Sequence, residues 1–186
     1  MVAAYENLTR DRRLKHIYNL CDFELRARKL LPKALAEYVF GGVEDNTTLA
    51  NNRRQFDDHT LLTRVLSDVS SRHTAHTLLG QTYAAPFGIA PVGVSALIAF
   101  NGDNVMASAA YKLGIPMILS GSSLTRLEEV KQHHPQVWFQ AYLPGQPDLQ
   151  DALIERVAAA GIDTLVITVD IPVWANRENN MRAGFS

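Results

Sequence analysis

Gln140 and Tyr142, in FQAY (139 to 142), and Thr168 and Asp170, in ITVD (167 to 170), stand two residues apart at the ends of short apolar runs. Residues two apart on a strand project to the same face, so each pair is expected to present its polar side chains together. An amide that both donates and accepts, a phenol, a hydroxyl and a carboxylate on one rim would suit a polar heteroaromatic ligand. Two further runs end in polar clusters: ILSGSS (118 to 123), which carries Ser120, and IAPVG (89 to 93). In the latter, Pro91, Val92 and Gly93 would let a flat ring lie against main chain, because Gly93 has no side chain to hold it away. Downstream, Arg177 is a candidate grip for a carboxylate, since a guanidinium matches both oxygens in one plane. Taken singly, each has a plainer explanation: a strand-end hydroxyl satisfying nearby backbone, a turn at Pro and Gly, a solvated arginine. Their joint occurrence on successive strand ends is what favours a ligand site. The six histidines, His16, His59, His73, His76, His133 and His134, all lie off the strand ends. They read as structural or surface groups, so the general base such a rim needs is not visible.

A rim of this kind is built where parallel strands end, with helical crossovers between them. The pattern supplies such crossovers. Helical spacing is expected over 102–113 ending at Gly114, over 124–134 with Thr125 and Glu128 in capping-box register, and over 148–160 ending at Gly161. Ahead of them, Asp22 to Phe40 reads as two helical pieces parted by Pro32 and ended by Gly41 and Gly42. The stretch 43–66 reads as loop and short helix, and 78–87 as a hairpin or barrel-bottom segment. The last stretch, IPVWANRENNMRAGFS, reads as a loop with no helix behind it. Four strands and three crossovers do not close an eight-stranded barrel, so one half of a barrel is expected, with a complete small doubly wound domain as the competing architecture.

With 186 residues, 47% hydrophobic and 20% charged, the chain has the composition of a globular domain, and its net charge of -1 gives no field to gather nucleic acid. The basic stretch Arg10 to His16 reads as a solvated terminal face. A lone cysteine, Cys21, excludes an intrachain disulfide and paired-cysteine zinc sites, and no metal site is expected. No apolar run reaches the roughly 20 residues that span a bilayer, and the amino terminus lacks a signal-like apolar stretch, so the expected location is cytoplasmic, with peripheral contact to the inner membrane left open. Neither a GxGxxG fingerprint, a Walker loop nor a GxSxG elbow occurs.

LPKALAEYVFGGVEDNTTLANNRRQFD (31 to 57), PFGIAPVG (86 to 93), ILSGSSLTRLEEV (118 to 130), WFQAYL (138 to 143) and LVITVDIPVWANRE (165 to 178) resemble the FMN-dependent 2-hydroxy-acid oxidase and dehydrogenase family. That family includes glycolate oxidase, flavin-type L-lactate dehydrogenase and mandelate dehydrogenase. The resemblance implies an α/β fold, a TIM (β/α)8 barrel, of which this chain supplies an amino-terminal helical segment (1–77) and about the first four βα units (78–186), as a single domain. It further implies FMN at the carboxyl-end rim and oxidation of an L-2-hydroxy acid to the 2-oxo acid. On the matching motifs, Pro91, Val92 and Gly93 would lie against the flavin, and Ser120, Gln140 and Thr168 would hydrogen-bond its edge. Tyr38 and Tyr142 would contact substrate, Arg177 would grip its carboxylate, and Asp170 would steady the catalytic histidine.

Val92 stands where the family commonly has threonine, Gly93 where it varies between alanine and glycine, and Ser122 where short-chain oxidases often carry a bulky aromatic. A smaller group at Ser122 predicts a substrate larger than glycolate. The family's flavin-contacting lysine, catalytic histidine and FMN-phosphate site match no stretch up to Ser186, so this chain alone is expected to hold FMN poorly and not to turn over. A homo-oligomer or a complementing carboxyl-terminal half is the expected partner. The rival functions are a non-catalytic half-barrel assembly module and a flavin-dependent isomerase of similar fold.

Overall fold

Asn19 begins the first helix by reciprocal capping: its side chain accepts from the Asp22 amide (3.2 Å), while the Asp22 carboxylate accepts from the Asn19 amide (3.0 Å). The chain is described by a computed structural model covering residues 14–171 and 173–185, so Arg10 to Arg13 of the basic stretch lie outside the described residues. Helix α1 runs Leu20–Leu30 and α2 runs Lys33–Phe40, parted at Pro32 as its missing N–H requires. Helix α3 follows at Thr47–Arg54. These helices and the segment from Ala175 onward form one compact unit, and residues from Thr63 to Trp174 form another.

The first unit is closed by α8, Glu178–Ala183, which packs against α2. A loop was expected here. The six residues ENNMRA carry no apolar periodicity from which a helix could be read, and Gly184, at φ 74°, ends it in the left-handed region.

The second unit opens with the expected hairpin, β1 His76–Leu78 against β2 Gln81–Tyr83, antiparallel. Short α4 (Ser95–Ile98) and α5 (Gly102–Leu113) follow, then β3 Ile118–Ser120, α6 Leu127–His133, β4 Trp138–Ala141, α7 Pro147–Ala159 and β5 Leu165–Ile167. The three strands are parallel in the order β3-β4-β5. Sequential order without reversal departs from the doubly wound alternative, whose strand order turns back at a switch point. Leu119, Phe139 and Ala141 face the helices and pack with Ala107, Ala110, Val130 and Val157 in the core. The alternate residues Ile118 and Trp138 line an apolar cavity with Tyr83 and Ile89, and Ser120 and Gln140 continue that face at its carboxyl end.

Two expectations fail for identifiable reasons. The run IAPVG makes only a single parallel bridge, Ile89 to Met117, rather than a strand. Pro91 has no N–H to extend the ladder. No capping box forms at Thr125 and Glu128: the Thr125 amide donates to the Ser123 hydroxyl (3.0 Å), and Glu128 instead takes a bidentate grip from Arg156 on α7 (2.9 and 3.0 Å).

That grip holds the Glu128 carboxyl at about 2, chiefly through the Arg156 hydrogen bond, from an ordinary 4.5. A depressed folded value means the pair stabilises above about pH 4.5 and the contribution disappears as pH falls toward 2. Both side chains are about half exposed (54% and 47%), so the effect is small and salt-sensitive. Glu128→Gln is therefore expected to lower the melting temperature slightly near neutral pH, less so in high salt, and not at all at pH 2. Equal melting of the two proteins at neutral pH and low salt would contradict this.

Candidate active site

Ser120 ends β3, Gln140 lies one residue from the end of β4, and Thr168 follows directly after β5, with its amide donating to the Ala141 carbonyl (3.0 Å). The register pairs Ser120 with Gln140, so adjacent strands deliver the two side chains to one level. Gln140 is 2% exposed and Ser120 4%. The Ser120 hydroxyl donates to Gln140 Oε1 (3.2 Å), the Gly121 amide donates to the same oxygen (3.1 Å), and Gln140 Nε2 donates to Thr168 Oγ1 (2.8 Å). The Ser122 amide closes the set on Ser120 Oγ (3.1 Å). Three successive strand ends are thus linked by one chain of hydrogen bonds, fixed before any ligand arrives.

Gly93 adjoins this chain. A Cβ there would sit 3.3 Å from the Ser122 Cβ and 3.7 Å from Ser120 Oγ, and the Val94 amide binds the Ser122 carbonyl (3.0 Å). Gly121 is more constrained, since a Cβ would meet the Gln140 carbonyl at 2.7 Å. Gly121→Ala is expected to cost about 1–3 kcal/mol by displacing the loop after β3, measured by denaturant unfolding. An unchanged midpoint would show that the loop yields freely.

The loop is anchored from outside by Asp103, 1% exposed in the first turn of α5, which accepts from the Ser123 hydroxyl (2.7 Å). Sequence reasoning passed over Asp103, because an acidic residue in a first helical turn looks like ordinary dipole compensation.

In the other unit, the Arg177 guanidinium lies 4.9 Å from the Tyr38 ring centroid, and its Nη2 donates to the carbonyls of Tyr38 (2.9 Å) and Gly41 (3.2 Å). Tyr38 stacks on Phe185 at 4.6 Å. The other two guanidinium nitrogens have no partner among the described residues, which leaves donors for an anion.

A family model for FMN-dependent dehydrogenases matches residues 27–186. The chain belongs to that family. It is 37% identical over 180 residues to a putative L-lactate dehydrogenase of Mycobacterium tuberculosis, covering 96% of this chain and 44% of that protein. With an L-lactate oxidase of Lysinibacillus sphaericus it shares 33% identity, covering 89% of this chain and 43% of the relative. The crystal structure of a soluble mutant of the membrane-associated (S)-mandelate dehydrogenase of Pseudomonas putida superposes with a TM-score of 0.87 at 31% identity, covering 92% of this chain and 49% of that one. The chain spans about half the length of the relatives it matches.

The residues of this chain fit the family's cofactor. A flavin ring edge alternates acceptors and a donor, and Gln140, flanked by two hydroxyls, offers both kinds of group. Gly93 keeps the approach beside Ser120 clear. Pro91 and Val92 are exposed next to it.

The other expected site residues are less assembled. Tyr142 is 49% exposed while Gln140 is buried, and Asp170 is exposed while Thr168 is half-buried. The strands end at Ala141 and Ile167, and beyond them the two-residue period no longer holds. Asp170 has no hydrogen bond or ion pair among the described residues, which also hold no cluster of three metal-ligating side chains. No helix among them is long and apolar enough to cross a membrane.

Proposed function

We propose that this chain is the flavin-ring-holding half of a (β/α)8-barrel enzyme that oxidises an L-2-hydroxy acid to the 2-oxo acid. The observation that carries the proposal is the hydrogen-bonded chain Ser120–Gln140–Thr168 across three parallel strand ends. The sequential strand order supports the barrel: β3 has only the Ile89 bridge on its outer side and β5 has no outer neighbour among the described residues, leaving edges that further strands would cover. On this view residues 1–77 and 78–186 are the helical segment and the first barrel half of a single domain.

FMN, when bound, accepts the two electrons released as the substrate C2–H and O–H bonds become a carbonyl. This chain's residues bind and orient. Pro91, Val92 and Gly93 lie against the ring, and Ser120, Gln140 and Thr168 fix its polar edge. Arg177 holds the substrate carboxylate, with the hydroxyls of Tyr38 and Tyr142 hydrogen-bonding carboxylate or hydroxyl oxygen. Asp170 orients the base that takes the hydroxyl proton. His76, expected off the strand ends, in fact opens β1 of the antiparallel hairpin, and none of the six histidines stands at the carboxyl end of β3, β4 or β5, so on this proposal the base comes from a complementing half. The small Ser122 beside Gly93 admits an acid bulkier than glycolate, of lactate or mandelate type.

Every contact proposed for this chain is to the flavin ring, which makes a binding comparison a direct test. Quenching of flavin fluorescence should report similar, modest affinities for FMN and for riboflavin. Binding of neither flavin would sink the proposal, and a large preference for FMN would place a phosphate grip within these residues.

A further inference from the structure

We propose that Asn46 and Asn179 form a clasp that positions Arg177 for its carboxylate, an inference that rests on Arg177 receiving substrate as argued above. Asn46 Oδ1 accepts from the Gly42 amide (2.8 Å) and from Asn179 Nδ2 (2.7 Å), and the same Nδ2 donates to the Gly42 carbonyl (3.3 Å). Both asparagines are half-buried. Asn46 sits at φ 65°, ψ 17°, in the left-handed region that Asn tolerates better than most residues, just ahead of α3. Between Gly42 and Asn46, the Glu44 amide donates to the Asn176 carbonyl (3.1 Å).

The clasp joins the two segments that carry Tyr38 and Arg177, 139 residues apart in the chain. Their approach leaves no spare room: a Cβ on Gly41 would lie 2.9 Å from the Asn179 Cβ and 2.4 Å from the Glu37 carbonyl. Arg177 itself bridges the segments through Nη2, to the Tyr38 and Gly41 carbonyls. If that were the sole tie, an incoming carboxylate would compete with it for the guanidinium, and binding would loosen the grip that aims it. With Asn46 and Asn179 holding the segments independently, Nη2 stays on the carbonyls and the remaining nitrogens face the ligand in a fixed plane. Asn179 is thus a positioning residue, acting through Arg177 rather than on substrate.

The test is a thermodynamic cycle read by calorimetry with oxalate as the carboxylate probe, on protein saturated with FMN, alongside thermal melting. Asn179→Ala should weaken oxalate binding about tenfold, the worth of roughly one hydrogen bond, while the protein remains folded at the assay temperature. In an Arg177→Leu background the same change should have no further effect. Asn46→Gly removes the clasp while keeping the left-handed backbone available, and it carries the test if the first variant does not fold. Wild-type affinity in a folded clasp variant, or equal losses in both backgrounds, overturns the clasp. An Arg177→Leu protein that binds oxalate as well as its parent overturns the substrate assignment beneath it.

Discussion

Replacing Arg177 by leucine is expected to weaken binding of a 2-hydroxy acid about a hundredfold or more, because two charge-assisted hydrogen bonds at about 1.5–3 kcal/mol each disappear together. The measurement is the dissociation constant of L-lactate or mandelate with FMN present. Arg177→Lys separates the contributions: a lysine keeps the charge but loses the planar fork and at least one of the Nη2 bonds to the Tyr38 and Gly41 carbonyls. It should fall between wild type and leucine. The leucine variant should also melt earlier, because those two carbonyls lose their donor. A leucine variant with undiminished affinity would mean that the guanidinium serves only to join the two segments.

Gln140→Leu is the second large effect. The substitution nearly conserves volume but strips three hydrogen bonds from a side chain that is 2% exposed, leaving the Ser120 hydroxyl and the Gly121 amide without their acceptor. The buried Ser120 orphan costs about 1–3 kcal/mol and the part-buried Gly121 amide less, so a loss of about 2–4 kcal/mol in unfolding free energy is expected. Riboflavin and FMN affinities should fall together by about a hundredfold. Gln140→Glu keeps the acceptor for Ser120 and Gly121 and loses the donor to Thr168, so it should fold better than the leucine variant yet bind flavin as poorly. A Gln140→Leu protein with parental flavin affinity would remove the strand-end rim from the account.

The parts of the fold written in local chemistry were legible. Pro32 parts α1 from α2, Gly114 and Gly161 stop helices in the left-handed region at φ 64° and 72°, and apolar runs became β3, β4 and β5. Ser120, Gln140 and Thr168 converge because strand ends in a parallel sheet share a level, a consequence of topology that the run spacing announced. What escaped was non-local. Thr125 and Glu128 have capping-box spacing, but Arg156 lies 28 residues on and claims the carboxylate. Tyr142 and Asp170 lie past the ends of β4 and β5, so alternation alone does not fix the face they share with Gln140 and Thr168. Gly41 and Gly42 read as a helix stop, although Gly41 has an ordinary φ of -79°, and the Glu37 carbonyl, with the Asn179 Cβ behind it, is what excludes a side chain there. No sequence window could link Asn46 to Asn179, 133 residues away.

Residue-resolved 1H–15N spectra of the protein titrated with FMN put the central claim to the most direct trial, since they work at modest affinity and require no turnover. The Gln140 side-chain amide and the backbone amides of Gly93, Gly121 and Ser122 should shift in a saturable, concentration-dependent way, and riboflavin should move the same set. Shifts confined to other surfaces, such as the apolar cavity beside Trp138 and Phe87, with the Gln140 amide unmoved, would contradict a flavin held at these strand ends.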